Sequence, residues 1–208
     1  MQAEATLIVT ADDYGYAPAY NRGILVAVEA GAVDCVGAMV GRPACDPAPL
    51  LATGIEIGLH LELPEGRPGD EVGRFERTFG RQPAYLDGHH HCHAREPVAE
   101  RVAELAAERG IPVRSVSAAH RELLRSRGCA TPDRLIGRMD ADQPALPALL
   151  DGGERLPPGV TEWMVHPGYS DPESGSSYDL AREQDLELVL RLSDALRRRA
   201  RRAGPSAL

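Results

Sequence analysis

Residues 6–15 read TLIVTADDYG, and this stretch decides how the rest of the chain is read. TLIVTA, residues 6–11, is a continuous apolar and β-branched run of the kind that forms a strand covered on both faces. It runs straight into Asp12, Asp13, Tyr14 and Gly15, so two adjacent carboxylates stand at a strand's carboxyl end. In parallel α/β folds those ends gather on one face, where active sites form. A pair of aspartates taken alone is an ordinary turn or helix cap. Behind a buried strand the pair lies at the mouth of the sheet. One carboxylate there can bind a metal while its neighbour stays free, since successive side chains diverge.

Outward from this stretch, apolar runs alternate with helix-period segments. A helix is predicted over residues 18–30, stopped by Gly31, then a strand at 33–40 and a short helix at 46–53 ended by Gly54. EIGLHLEL, residues 56–63, is the third strand, and residues 64–82, rich in Gly, Pro and charge, read as a long loop. A fourth strand starts near residue 84 and runs through the histidines of AYLDGHHHC. The helix at 96–109 has Val98, Val102, Leu105 and Ala106 on one face and Gly110 as its cap. IPVRSV (111–116) is a fifth strand, followed by a helix at 119–127, a weak strand at 133–137 and a helix near 144–151. VTEWMVHP supplies the seventh strand, and residues 181–202 a long final helix. Alternation of this kind predicts one α/β domain over residues 1–208, a parallel (β/α) barrel-like fold with about seven strands.

Composition narrows the chemistry. The net charge of -8 argues against a nucleic-acid surface. All 23 basic residues are arginine, which removes Schiff-base and pyridoxal chemistry and a P-loop lysine. The cluster from Arg197 to Arg202 reads as a solvated helix end. Four cysteines without CxxC spacing indicate neither a zinc ribbon nor a redox pair. With no leader-like start and no apolar span, the expected location is cytoplasmic, and a homodimer is left open.

Polar residues collect at the strand ends. Asp12 and Asp13 follow strand one, His60 ends strand three, Asp87 to His93 end strand four, Arg114 ends strand five and His166 ends strand seven. Of the seven histidines only His120 lies outside this set. In an extended DGHHHCH, Asp87, His89, His91 and His93 share one face. Four such groups in an apolar core would be costly, so a metal site or an open cleft is their natural destination. His60 alone is as compatible with a hydrogen-bonded core histidine as with a ligand.

With ADDYG at 11–15, NRGI at 21–24, GLHLEL at 58–63, LDGHHHCH at 86–93, GIPVR at 110–114 and VHPGY at 165–169, the chain resembles the YdjC-like carbohydrate deacetylases. That family includes chitooligosaccharide deacetylases and the hopanoid-pathway deacetylase. The resemblance implies a polysaccharide-deacetylase-like barrel, one divalent ion (Mg²⁺ or Zn²⁺) and action on N-acetylated sugars or oligosaccharides. It implies Asp13, His60 and His89 as the metal ligands and Asp12 as the general base. Two departures bear on the pocket: a shorter segment between His60 and Asp87, and a shorter C-terminal stretch.

Amide hydrolysis would then use water acidified by the ion. Arg114 is expected to steady the oxyanion and His166 to protonate the amine. His91 and His93 are alternatives for that acid or orient the ligands, and Asp87 and Tyr14 complete the surroundings. Two readings of other classes compete. One is an iron enzyme with a two-histidine, one-carboxylate site, which the βα alternation disfavours. The other is a non-catalytic metal- or sugar-binding module, which would need no free carboxylate beside the ion.

Overall fold

The computed structural model describes residues 5–63, 67–137 and 156–208. β1 (Ala5–Tyr14) is the central strand. It is followed by α1 (Pro18–Glu29), β2 (Cys35–Ala38), α2 (Pro47–Thr53), β3 (Glu56–Leu61), α3 (Pro68–Phe79) and β4 (Leu86–Gly88). Next come α4 (Val98–Arg109), α5 (Ala118–Ser126), β5 (Arg134–Ile136) and β6 (Gly159–Val165). The final helix α6 (Arg182–Arg199) leads into the two-residue strand β7 (Arg201–Arg202). The sheet runs β4-β3-β2-β1-β6-β5, with β7 also on β1, and every described pair is parallel.

The sheet curls towards a barrel, and residues 112–114 bridge its two edges. Arg114 N–H donates to the Leu86 carbonyl of β4, while Val113 N–H donates to the carbonyl of Ala130, just ahead of β5. Two faces result. Leu7, Val9 and Ala11 of β1 turn outward and pack with Ile24, Ala27 and Leu196 in the main core. Ile8, Cys35 and Tyr85 form a small apolar plug in the interior. Above it the interior turns polar, through Thr10, Asp12, His60, Asp87, Arg114 and Glu162, all buried.

Several expectations are corrected. Within the loop expected over residues 64–82, Pro68–Phe79 is a helix. Pro68 opens it, Gly80 closes it in a left-handed conformation, and Val72, Phe75 and Phe79 make a buried stripe at helical spacing. The glycines and charges that suggested a loop lie on its other face. IPVRSV makes only an isolated bridge, Val113 to Leu86, so it joins the barrel without forming a regular strand. The strand through the histidines stops at Gly88. The expected helix near 144–151 lies outside the described residues. The arginine cluster is solvated as expected at Arg197, Arg198, Arg199 and Arg201, all exposed, while Arg202 is half-buried and pairs with Asp34 at 2.8 Å.

If α3 packs as described, truncating its fully buried Phe75 to alanine should lower unfolding free energy by about 3–5 kcal/mol in urea titration. A change within about 0.5 kcal/mol would return this segment to an exposed loop.

Candidate metal centre

In a regular strand Asp12 and Asp13 would point to opposite faces. The register between β1 and β2 slips between Ala11 and Tyr14, and Asp13 adopts φ 72°, in the left-handed region. This bulge lets both carboxylates enter the same cup. A non-glycine residue held at positive φ costs energy and persists where its surroundings over-determine it.

Asp13 Oδ1 lies 3.2 Å from His60 Nε2 and 3.0 Å from His89 Nδ1. The three ligand atoms available from Asp13, His60 and His89 fall within 4.8 Å of one another. His60 Nδ1–H donates to Asp87 Oδ1 at 2.8 Å, which turns Nε2 towards the centre. A carboxylate behind a histidine is the usual means of fixing its tautomer for metal binding. A second triad, Asp12, His60 and Asp87, is equally close, but Arg114 already engages both of its carboxylates.

Arg114 occupies the barrel interior and is fully buried. Its Nη1 and Nη2 donate to the two oxygens of Asp12 at 2.7 and 2.9 Å, and its Nε donates to Glu162 at 2.8 Å. Asp87 Oδ2 lies 2.7 Å from Nη1. Burial alone would raise the Asp12 carboxyl, but Arg114 and His60 outweigh it and hold it well below the usual carboxylate range. Burial prevails at Asp87 and Glu162, both pushed up despite the same arginine. The sequence expectation for Arg114 is a donor that steadies the oxyanion. The guanidinium instead faces three carboxylates and no solvent.

His166 follows β6. Its Nε2 is 4.0 Å from Asp12 Oδ2, and its backbone N–H donates to Asp185 at 3.0 Å. Burial lowers its imidazole, although Asp13 and Asp12 pull the other way. The even alternation expected of the histidines after Asp87 does not hold. His90 and His91 have φ of 49° and 55°, and the chain winds into a 3-10 turn over His89–Ala94. His89 therefore reaches Asp13, while His90 stays exposed. His91 is half-buried, and burial together with Arg114 pushes its imidazole down to about 4. His93 is buried, its Nε2–H donating to the Arg114 carbonyl at 3.0 Å, so it braces that arginine from behind. Tyr14 is not brought to the site. Its hydroxyl donates to the Asp46 carbonyl, and its ring packs in the main core.

Sequence reading missed Glu162, Asp185, Arg182 and Tyr16. Glu162 had a signal, since a carboxylate inside the apolar run VTEWMV needs a buried partner. Arg182 carried one too, because a cation in a helix's first turn opposes the macrodipole. Tyr16, whose ring centroid is 5.6 Å from that of His89, had none.

The donor set fits a divalent cation. It offers one carboxylate oxygen and two imidazole nitrogens, within the range of zinc and suited to other divalent ions. Four buried carboxylates, Asp12, Asp13, Asp87 and Glu162, face two buried guanidinium groups, Arg114 and Arg182.

A family model described as YdjC-like protein matches residues 6–74 and 71–201. The chain belongs to the YdjC-like family. A carbohydrate deacetylase of Clostridium beijerinckii is 31% identical over an alignment covering 88% of this chain and 90% of that one. A chitooligosaccharide deacetylase of Serratia marcescens is 28% identical, covering 81% and 83%. A crystal structure from Enterococcus faecalis V583, of a protein provisionally described as a cellobiose-phosphate cleavage protein, superposes with a TM-score of 0.82. It covers 99% of both chains at 23% identity, a likeness of fold. Among the described residues of this YdjC-like protein, no helix is long and apolar enough to cross a membrane.

The electrostatics make ion uptake depend on pH. Burial would lower the His60 imidazole, but Asp87, Asp12 and Asp13 outweigh it and raise it well above the usual histidine value. In the metal-free protein these carboxylates therefore favour the protonated form of His60. Its stabilising effect is complete below about 6.5, the unfolded value, and is lost as pH rises through the higher folded value. A cation must displace that proton. Calorimetric titration with Zn²⁺ should show proton release through buffer-dependent enthalpies, with affinity rising as pH rises. Affinity flat across pH, with no proton released, would contradict this arrangement.

Proposed function

We propose that this protein hydrolyses the N-acyl amide of an amino sugar or sugar conjugate, an N-acetyl group foremost, with a divalent cation at Asp13, His60 and His89. The observation that carries the reading is the carboxylate of Asp12, which is not one of the three donors. It stands beside the donor triad, held ionised by a two-pronged Arg114 contact, with His166 facing it. A non-catalytic binding module has no need of such a carboxylate. The names of the relatives, carbohydrate deacetylase and chitooligosaccharide deacetylase, support the substrate class.

Asp12 takes the proton of the attacking water. A carboxylate stabilised this strongly is a weak base, so it suits only water whose acidity has been raised. A divalent cation, Mg²⁺ or Zn²⁺, supplies that acidity and polarises the acyl carbonyl as a Lewis acid. Arg114 aims Asp12 and keeps it ionised, and it gives nothing directly to the oxyanion. His166 delivers a proton to the departing amine, a leaving group that is poor unless protonated. Burial lowers its imidazole, so its protonated form is a stronger acid than a free histidine but must first take up a proton, which the nearby Asp12 and Asp13 favour. Asp185, bonded to the His166 N–H and 4.0 Å from its Nδ1, fixes the ring's approach. His60 is held by Asp87 throughout.

Acetate release from N-acetylated chito-oligosaccharides should appear with divalent metal and vanish with chelator. Asp12→Asn should keep the metal and lose turnover by about 10²–10⁴-fold, whereas Asp13→Ala should lose the metal itself. No acetate release from any N-acetylated sugar in metal-loaded protein would sink the proposal. Equal metal loss in both variants would mean that the two aspartates share the ligand role.

A separate comparison tests the acid. His166→Ala should slow sugar-amide hydrolysis strongly while sparing nitrophenyl acetate, whose leaving group needs no proton. Equal losses on both substrates would remove His166 from that role.

A further inference from the structure

One buried cation has no part in the chemistry so far. Arg182 opens α6, and its guanidinium is shielded completely from solvent. Its Nη2 donates to Asp13 Oδ2 at 2.6 Å. Its Cζ sits 3.6 Å from the ring centroid of Tyr20, whose hydroxyl donates to Asp179 at 2.8 Å. Nε and Nη1 have no hydrogen-bond partner among the described residues.

That placement is costly. A cation in the first turn of a helix opposes the macrodipole, and a buried guanidinium with unpaired donors pays a desolvation penalty. The backbone is also shaped to admit it. A Cβ on Gly168 would come within 3.0 Å of Arg182 Cδ, and a Cβ on Gly23 would lie 2.5 Å from the Gly168 backbone. Both glycines are needed for α1, the loop after β6 and the arginine to meet. The polar contact offsetting this cost is Asp13.

The two oxygens of Asp13 are thus divided. Oδ1 faces His60 and His89, while Oδ2 is taken by Arg182. We infer that Arg182 is a positioning residue for the metal centre: by occupying Oδ2 it makes Asp13 a one-oxygen donor and keeps coordination positions open for water and substrate. This rests on the reading that Asp13, His60 and His89 hold the ion. Without Arg182 the carboxylate is free to turn about its side-chain bonds, to offer both oxygens, and to swing away from the histidines.

Cobalt(II) reports both effects, because its visible absorption depends on coordination number and its uptake can be titrated. Arg182→Met should weaken cobalt binding by about 10–100-fold, the usual effect of losing a partner behind a ligand. The spectrum of the saturated variant should also change, towards the weaker absorption of higher coordination. Arg182→Gln, too short to reach Oδ2 but polar in the same space, is read in the same way if the methionine variant does not fold. A purely structural arginine would lower the melting temperature and leave affinity and spectrum as in the wild type, and that result would overturn the inference. Wild-type protein that takes up no cobalt, or takes it up unchanged after Asp13→Ala, would remove the metal reading and this inference with it.

Discussion

A single guanidinium inside a curled parallel sheet sets the terms for everything around it. Arg114 reaches three carboxylates from three strands, Asp12 of β1, Asp87 of β4 and Glu162 of β6. Removing one partner from a buried ionic cluster of this kind costs about 3–5 kcal/mol, because the remaining charges lose their compensation. The cluster therefore ties the sheet together across its interior. It also aims Asp12 and, through Asp87, His60. One contact thus serves the fold and the site together, and His93 braces it from behind through the Arg114 carbonyl.

Charge and backbone strain point to the same place. In this layer the buried carboxylates Asp12, Asp13, Asp87 and Glu162 outnumber the buried guanidinium groups of Arg114 and Arg182. The residues held at positive φ include Asp13, His90 and His91, all at or beside the proposed ligands. The bulge at Asp13 brings adjacent carboxylates into one cup, and the turn after Gly88 brings His89 over it. Regular strand geometry could do neither. The divalent cation proposed at Asp13, His60 and His89 would give the unusual backbone a reason to persist.

Much of this was legible in the sequence. The buried run ahead of Asp12 and Asp13, and the strand-helix alternation, led directly to a parallel barrel-like fold with its polar groups on one face. The proposed ligands Asp13, His60 and His89 do converge. What misled was local. Strict alternation through Asp87–His93 assumed an extended chain, whereas the turn at His90 and His91 depends on contacts that no periodicity encodes. α3 was hidden because Gly69, Gly73 and several charges lie opposite the Val72, Phe75 and Phe79 stripe. Arg114 looked like an oxyanion donor because it was assigned to a strand end. Only the packing shows its donors committed to Asp12 and Glu162, with Asp87 in ion-pair contact. Arg182 and Asp185 come from the far end of the chain, and spacing alone gives no distance between them and residues near Asp13.

Anomalous diffraction at the zinc edge, from crystals grown with Zn²⁺, tests the centre of this account most directly. The account predicts one strong peak bonded to Asp13 Oδ1, His60 Nε2 and His89 Nδ1 at about 2.0–2.2 Å, with Asp12 still on Arg114 and outside the coordination sphere. A peak bonded to Asp12 in place of Asp13, or lying away from these three residues, would contradict it.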